Sequence, residues 1–281
     1  MTLYNSFIEE LPLILFTVIA QSAVGFSFIY AYGNGAAAQK DERYKKFAIV
    51  FLSLVILGML SSVFHLGDPF HAPYMITRIF GFTQNGNFVI SWLPLEILGL
   101  GLMVLVGLLV LLKGNKIVIY ALPVVGFAML YAMGNIYGSM SNTIPTWNLS
   151  LTLLLFFASA LLLGAVTYAA FIAKNSIEHK ISVTAMAVGF ILFVLALVLY
   201  TYHLGSLRLD VMENVFDLTN GNYPILVSLG IILCGISLVL LFMKEKEDSL
   251  LPKLAFVLSL VGVFLTRILF YGMITSHIFL G

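Results

Sequence analysis

The chain has 281 residues, of which 61% are apolar and only 10% are charged, and its mean hydropathy is +1.06. Soluble proteins average about 25% charged residues, so this composition excludes an ordinary soluble domain. The formal net charge of +1 argues against nucleic acid as a partner. The single cysteine, Cys234, excludes an intrachain disulfide and an iron–sulfur cluster held by this chain alone.

Long continuous apolar runs, rather than alternating apolar and polar residues, predict membrane-spanning helices. In lipid only helices and closed barrels satisfy their backbone hydrogen bonds. The sequence therefore predicts an all-α integral membrane protein with eight transmembrane helices, near residues 11–32, 47–67, 88–112, 117–138, 149–172, 182–203, 224–243 and 251–273. The first run is predicted to be a retained span, because residues 1–10 lack a basic region and contain Glu9 and Glu10.

Basic residues are concentrated in alternate connections between the predicted spans. Eleven lie in or beside the connections after spans one, three, five and seven, whereas the other connections contain only Arg78 and Arg208. By the positive-inside rule, both termini lie outside the cytoplasm. The outer connections 68–87 and 204–223 are also long, at about twenty residues each. Long loops usually carry contacts, so a soluble partner is expected to dock on the outer side.

Three short segments recur in the same order in the two parts of the chain, at offsets of 138, 135 and 134 residues. The matched segments are His65-Leu66-Gly67 with His203-Leu204-Gly205, Asn85-Gly86-Asn87 with Asn220-Gly221-Asn222, and Tyr137-Gly138 with Tyr271-Gly272. Their shared order predicts two repeated four-helix bundles, residues 1–140 and 141–281. Four spans per half preserve orientation, so the repeat is a parallel one.

Two strongly ionisable side chains lie clearly inside the predicted spans. Glu96 is about eight residues from the outer end of span three, roughly 12 Å deep, and Arg267 is about six residues from the outer end of span eight, roughly 9 Å deep. Such groups cost several kcal/mol in lipid unless they are paired, protonated or hydrated. Their similar depths favour an ion pair that joins the two halves, a route for protons to the outer surface, or both.

His65 and Asn135 also lie toward the outer ends of their spans, and Gln21 lies about ten residues deep in span one. His65 ends span two just before the helix-breaking residues 67–69, and is either an interfacial histidine or a proton acceptor or hydrogen-bond donor to a ligand. Gln21 and Asn135 either bridge helices or contact such a ligand. The inner halves of the spans are almost purely apolar. This distribution argues against a proton pump and favours a pocket that opens toward the outer surface.

Several segments resemble the membrane anchor subunit of the anaerobic dimethyl sulfoxide reductase family, which belongs to the wider polysulfide-reductase-like quinol-oxidising anchors. The similar segments are Leu11–Val18 with Gln21, Phe64–Pro69, Asn142–Trp147 and Arg267–Gly272. Their order and spacing agree across nearly the whole chain. Ser91 and Glu96 also resemble the Ser-x-x-Glu region of the wider family, although Pro94 and Leu95 depart from that pattern.

The resemblance implies the anchor subunit of a molybdopterin oxidoreductase complex in anaerobic respiration. Menaquinol is then the substrate, bound near the outer face in the first half of the chain, with no haem or metal held by this chain. Electrons pass to an iron–sulfur subunit and then to a molybdopterin catalytic subunit. The chain lies in the lipid bilayer of a bacterial or archaeal inner membrane as a multi-pass protein.

The resemblance also suggests which residues form the quinol site. His65 matches the family's quinol-site histidine, so we expect it to be the catalytic proton acceptor. The residues expected to bind the quinol are His65, Gln21, Glu96, Asn135 and Arg267.

Two other functions fit parts of the sequence. In a b-type cytochrome, His65 and His203 would ligate one haem, but both lie at helix ends, where a haem would be poorly enclosed. A small-molecule transporter built on the repeat would need polar groups or broken helices at the membrane midplane, where Gln21 is nearly the only candidate.

Overall fold

The computed structural model describes residues 3–34, 43–64, 79, 81–84, 86–207, 215–243 and 250–273. Within these residues, eight helices are long and apolar enough to cross a membrane. They are α1 Leu3–Asn34, α2 Arg43–Val63, α3 Trp92–Lys113, α4 Lys116–Gly138, α5 Leu149–Phe171, α6 Ser176–Ser206, α7 Tyr223–Phe242 and α8 Leu250–Gly272. The predicted helical membrane protein with eight spans is thereby confirmed. The repeat and the orientation of the termini stay predictions.

Four helices differ at their ends from the sequence prediction by four residues or more. Helix α1 begins at Leu3 rather than 11, and α2 spans Arg43–Val63 rather than 47–67. Helix α6 begins at Ser176 rather than 182, because Asn175 caps it by accepting a hydrogen bond from the backbone N–H of Glu178 at 2.9 Å. Helix α3 begins at Trp92 rather than 88, because Asn87–Val89 forms strand β2 and pairs with strand β1, Phe82–Gln84. The two antiparallel strands are joined through Gly86, whose φ of +80° suits a tight turn.

Helices α1 and α5 form the centre of the bundle. Helix α1 packs against α2, α4, α5 and α8, and α5 packs against α1, α4, α6 and α8. The backbones of α1 and α5 meet at Gly25 and Gly164, where a β-carbon on either residue would collide with the backbone of the other helix. Small residues allow this close approach, which supplies van der Waals contact where lipid removes the usual hydrophobic driving force.

Both sets of four helices pack in a closed ring of neighbours. In the first set, α1 contacts α2, α2 contacts α3, α3 contacts α4, and α4 contacts α1; the same order of contacts holds for α5 to α8. We call the end of the bundle near the start of α1 and the end of α8 the outer end, following the predicted orientation, and the opposite end the inner end.

A buried polar cluster, the inner clamp, joins four helices at the inner end. Glu178 of α6 accepts hydrogen bonds from Asn34 of α1 at 2.9 Å and from Arg43 of α2 at 2.7 Å, the latter also being an ion pair. The hydroxyl of Tyr168 donates to the side-chain oxygen of Asn34. The backbone N–H of Lys174 donates to the second carboxylate oxygen of Glu178 at 2.8 Å. The clamp therefore holds α1 and α2 against α5 and α6.

Candidate functional site

Arg267 is fully buried in the outer half of α8 and organises the polar groups around it. Its Nη2 donates to the side-chain oxygen of Gln21 on α1 and to the hydroxyl of Ser159 on α5, both at 2.8 Å. The Ser159 hydroxyl also lies 2.7 Å from the same Gln21 oxygen. The Gln21 side-chain nitrogen contacts the sulfur of Met133 on α4 at 3.7 Å. Residues of α1, α4, α5 and α8, which come from both predicted halves, therefore form one cluster around the guanidinium of Arg267.

Aromatic rings enclose the guanidinium of Arg267. Its Cζ lies 4.2 Å from the ring centroid of Phe156 and 5.8 Å from that of Phe270. A cation over an aromatic face is stabilised by the quadrupole of the ring, and more strongly away from water. These contacts offset part of the cost of keeping a positive charge within the bundle.

The hydrogen bonds to Gln21 and Ser159 leave part of the guanidinium unsatisfied. Among the described residues, Arg267 Nε and Nη1 are buried and have no hydrogen-bond partner. Arginine carries five N–H donors, and a buried donor left without a partner costs about 1–3 kcal/mol. The unused N–H groups can therefore bind an acceptor oxygen on a ligand.

The predicted ion pair between Glu96 and Arg267 is absent. In the described part of the chain, no oxygen of Glu96 lies within 4.0 Å of a nitrogen of Arg267, and Glu96 Oε1 is buried without a hydrogen-bond partner. Glu96 lies one turn before Gly99, which packs directly on Met129 of α4, so its side chain is directed toward α4. The guanidinium of Arg267 binds Gln21 and Ser159 instead. Glu96 and Arg267 therefore occupy separate positions in the outer half of the bundle.

Two hydrogen-bonded tyrosines lie one helical turn outward from Arg267. The hydroxyl of Tyr271 donates to the hydroxyl of Tyr137 at 2.7 Å, and both side chains are buried. Tyr271 lies one helical turn from Arg267, on the same face of α8. The same two tyrosines are matched to each other in the predicted repeat.

A segment between α4 and α5 fixes the outer end of α8. Thr146 donates to the carbonyl oxygen of Met273 at 2.7 Å, and the indole N–H of Trp147 donates to that of Phe270 at 3.0 Å. The ring of Trp147 also stacks on Phe270. The last carbonyls of a helix have no partner within the helix, so these bonds satisfy them and hold the turn that follows Arg267 in place.

A small cavity adjoins this region on the side of α6 and α7. Its volume is about 20 Å³, and its lining includes Thr146, Tyr200, Tyr223, Thr266 and Phe270. A space of this size holds about one water molecule. It brings a polar, hydratable position to the outer end of α8.

The other two predicted site residues are Asn135 and His65. Asn135 donates to the carbonyl oxygen of Tyr131 in its own helix at 2.8 Å. It lies two residues from Met133 and Tyr137, on a different face of α4, so it does not join the Arg267 cluster. His65 lies outside the described residues. Of the five predicted quinol-binding residues, the structure thus brings together Gln21 and Arg267 directly, with Glu96 nearby.

His203, the proposed second haem ligand, already has a contact. Its Nε2 lies 3.0 Å from the carbonyl oxygen of Pro145. A carbonyl accepts, so this nitrogen carries the proton and is not available to bind iron. This contact disfavours the haem ligation considered from the sequence.

Three residues of the site were not predicted from the sequence as site residues. Ser159 is one of several hydroxyl side chains in an apolar span, a pattern shared by many helix-packing serines. Tyr137 and Tyr271 were noted only as markers of the repeat. A signal for all three was available in Arg267 itself, because a buried guanidinium needs several oxygen partners.

Known proteins are similar in sequence to this chain along nearly its whole length. Residues 4–273 match the family described as the DMSO reductase anchor subunit (DmsC). The protein is 28% identical over 275 residues to the C subunit of the anaerobic dimethyl sulfoxide reductase of Haemophilus influenzae, covering 96% of each sequence. It is 26% identical over 275 residues to the YnfH subunit of an anaerobic dimethyl sulfoxide reductase of Escherichia coli K12, covering 94% of this sequence and 95% of that one.

The family match extends over nearly the whole chain and includes all eight helices from α1 to α8. It agrees with the length and apolar character of those helices and with the resemblance found in the sequence. This multi-pass membrane protein therefore belongs to the DMSO reductase anchor subunit family.

Proposed function

We propose that this chain binds menaquinol near the outer membrane face and oxidises it, as the anchor subunit of a complex in the inner membrane of a bacterium or archaeon. The electrons pass to an iron–sulfur subunit that docks on the outer face, and from there to a molybdopterin catalytic subunit. The quinol head group binds at Arg267, and His65 is expected to accept one of its protons.

One observation carries the proposal: a fully buried arginine keeps two nitrogens without a hydrogen-bond partner among the described residues of an apolar bundle. A buried cation in a membrane protein is costly and usually marks a functional site. A quinol or quinone oxygen is a suitable partner, because it accepts hydrogen bonds and its ring packs against apolar and aromatic walls. Phe156 and Phe270 provide such walls beside Arg267.

The chemistry assigns a role to each group. A quinol loses two electrons and two protons when it becomes a quinone. Arg267 holds one ring oxygen and stabilises negative charge as its proton leaves. The imidazole of His65 accepts a proton near neutral pH. Gln21 and Ser159 fix the guanidinium in place from the side away from the ligand.

The test uses membranes that carry the whole complex. Oxidation of a menaquinol analogue is measured for the wild type, His65→Ala and Arg267→Gln, with His203→Ala as the matched histidine control. Losing a general base or an oriented donor typically slows such a step by about 100-fold. We expect both site variants to lose that much quinol oxidation, while His203→Ala keeps most of it.

An artificial electron donor that bypasses the quinol checks assembly in the same membranes. Its activity should survive in His65→Ala and Arg267→Gln. If both variants oxidise the quinol analogue at the wild-type rate, the proposed site is wrong. If only His65→Ala does so, His65 is an interfacial residue and the quinol depends on the Arg267 cluster.

A further inference from the structure

The paired hydroxyls of Tyr137 and Tyr271 are unusual in their surroundings. Tyr137 is 4% exposed and Tyr271 is 1% exposed, and the rings of Trp147, Phe156 and Phe270 pack edge-on against Tyr137. The direct bond of 2.7 Å between the hydroxyls runs from α8 to α4, that is, between the two predicted halves. A tyrosine hydroxyl both donates and accepts a hydrogen bond, so a pair of them can pass a proton along.

The direction of the hydrogen bond gives the pair an entrance. The O–H of Tyr271 is used in donating to Tyr137, which leaves the Tyr271 oxygen as an acceptor. Tyr271 lies one turn outward from Arg267 on the same face of α8. A hydroxyl held near Arg267 is therefore placed to donate to Tyr271.

Two carboxylates give the pair an exit. Trp92 and Gly99, each about one turn from Glu96 on α3, pack on Tyr131 and Met129 of α4, which places Glu96 against α4 about one turn inward of Tyr137. Glu10 lies on the same face of α1 as Gln21, about three turns further out. Glu96 Oε1 is buried and has no hydrogen-bond partner among the residues that the structure describes. Glu10 is half-buried in the first part of α1, toward the outer end of the bundle. The polar groups thus run from Arg267 through two hydroxyls to one buried and one partly exposed carboxylate.

We propose that Tyr271 and Tyr137 form a hydroxyl relay that carries one of the two quinol protons to Glu96, and that Glu10 continues this route toward the outer face. This inference rests on the proposed quinol oxidation. It assigns roles to Tyr137, Tyr271 and Glu10 that the sequence did not suggest, and it gives a role to the buried Glu96 oxygen that has no hydrogen-bond partner among the described residues.

The transfer balances without a charged tyrosine. As the quinol O–H bond breaks, its proton bonds to the Tyr271 oxygen, the Tyr271 proton moves to Tyr137, and the Tyr137 proton moves to a Glu96 oxygen. Both tyrosines end as neutral phenols, and Glu96 becomes a neutral acid. The second quinol proton goes to His65, and the two electrons leave to the iron–sulfur subunit. No tyrosine becomes charged, and the step neutralises the buried Glu96 carboxylate, which has no cationic partner among the described residues.

The experiment compares Tyr137→Phe and Tyr271→Phe with the wild type in the whole complex. Each change removes one hydroxyl and keeps the ring. For both variants we expect kcat for quinol-analogue oxidation to fall about tenfold or more, in line with the loss of a proton-transfer group. We expect KM to change less than twofold and the solvent isotope effect on kcat to rise, because proton transfer becomes limiting.

Tyr168→Phe is the matched control. Tyr168 is also fully buried, and its replacement by phenylalanine also removes a hydroxyl hydrogen bond, but this residue belongs to the inner clamp. Its kcat and isotope effect should match the wild type. Glu96→Gln should resemble the two relay variants in both readouts, since it removes the acceptor at the end of the route.

The outcomes separate this relay from the proposed function. If Arg267→Gln loses quinol oxidation while both relay variants keep the wild-type kcat and isotope effect, the site is correct and the relay is wrong. If the relay variants lose activity with the artificial donor as well, their effect is on assembly, and the relay is rejected. If Arg267→Gln keeps quinol oxidation, the proposed function itself fails.

Discussion

Arg267 is the most costly side chain that the bundle buries. Placing an arginine inside a membrane helix costs about 2.5–3.5 kcal/mol even when the protein can relax around it. Bonds to Gln21 and Ser159 and the face of Phe156 offset much of that cost. The compensation is incomplete, since Nε and Nη1 stay without partners among the described residues. A residue needed only for stability would be better replaced by an apolar one.

Gln21 is the hydrogen-bond acceptor on which the cluster depends. Its oxygen accepts from both Arg267 and Ser159, whereas the Ser159 hydroxyl has a further acceptor in its own helix, the carbonyl of Leu155 at 2.7 Å. We expect Gln21→Leu to lower the free energy of unfolding by about 3 kcal/mol and Ser159→Ala by about 1 kcal/mol. Denaturant unfolding of the purified complex in mild detergent measures both values. Equal losses would show that Gln21 is not the central acceptor.

At the scale of the helices, close packing determines where the site residues meet. Gln21 and Gly25 lie one turn apart on α1, and Ser159 lies five residues before Gly164 on α5. The backbone contact between Gly25 and Gly164 therefore brings the outer parts of α1 and α5 close enough for Gln21 to reach Ser159. The end of α8 is fixed separately by the bonds from Thr146 and Trp147.

Substituting Gly25 tests this dependence. A β-carbon there would collide with the carbonyl oxygen of Ala160, a backbone atom that cannot move without moving α5. We expect Gly25→Ala to lower the unfolding midpoint of the complex and to reduce quinol oxidation severalfold, because Gln21 is displaced from Ser159. Thermal unfolding and quinol-analogue kinetics check the two effects.

Gly101→Ala provides the control for that test. A β-carbon at Gly101 of α3 meets nothing within 4 Å, and alanine in a helix is favoured over glycine by about 1 kcal/mol. This variant should be as stable as the wild type or more stable. A similar loss in both variants would mean that the α1–α5 contact has no special role.

At the scale of the whole molecule, two clusters that contain charged residues lie toward opposite ends of the bundle. In the inner clamp, both carboxylate oxygens of Glu178 accept hydrogen bonds, which come from Asn34, Arg43 and the backbone of Lys174. The outer cluster around Arg267 keeps donors that no described residue uses. We interpret the inner clamp as structural and the outer cluster as the place where a ligand completes the hydrogen bonding.

Glu178→Gln tests the structural role of the inner clamp. The change removes the negative charge that Arg43 pairs with at 2.7 Å, and removing one partner of a buried pair costs about 3 kcal/mol. The unfolding midpoint should fall, while KM for the quinol analogue should not change. Glu9→Gln, at an exposed carboxylate, should alter neither quantity. A change in KM at Glu178→Gln would instead connect the two ends of the bundle.

The sequence predicted much of the architecture and part of the site. Eight apolar runs correspond to eight helices, and Gln21 and Arg267 were identified as candidates before their contact was known. The predicted start of α3 at residue 88 is wrong. Phe88 and Val89 are apolar, but Asn87–Val89 forms a strand that pairs with Phe82–Gln84. The prediction for His65 stays open, since that residue lies outside the described part of the chain.

By itself, the sequence determined that this protein is a helical membrane protein of the anchor-subunit family. Transfer of a segment into lipid depends on the composition of that segment alone, so each span is encoded locally. The tertiary structure decided that Arg267 binds Gln21 and Ser159 rather than Glu96, and that Tyr137 meets Tyr271. Helices that are apolar on all sides show no periodicity that gives their rotation. Which side chains meet therefore depends on packing between segments far apart in the chain.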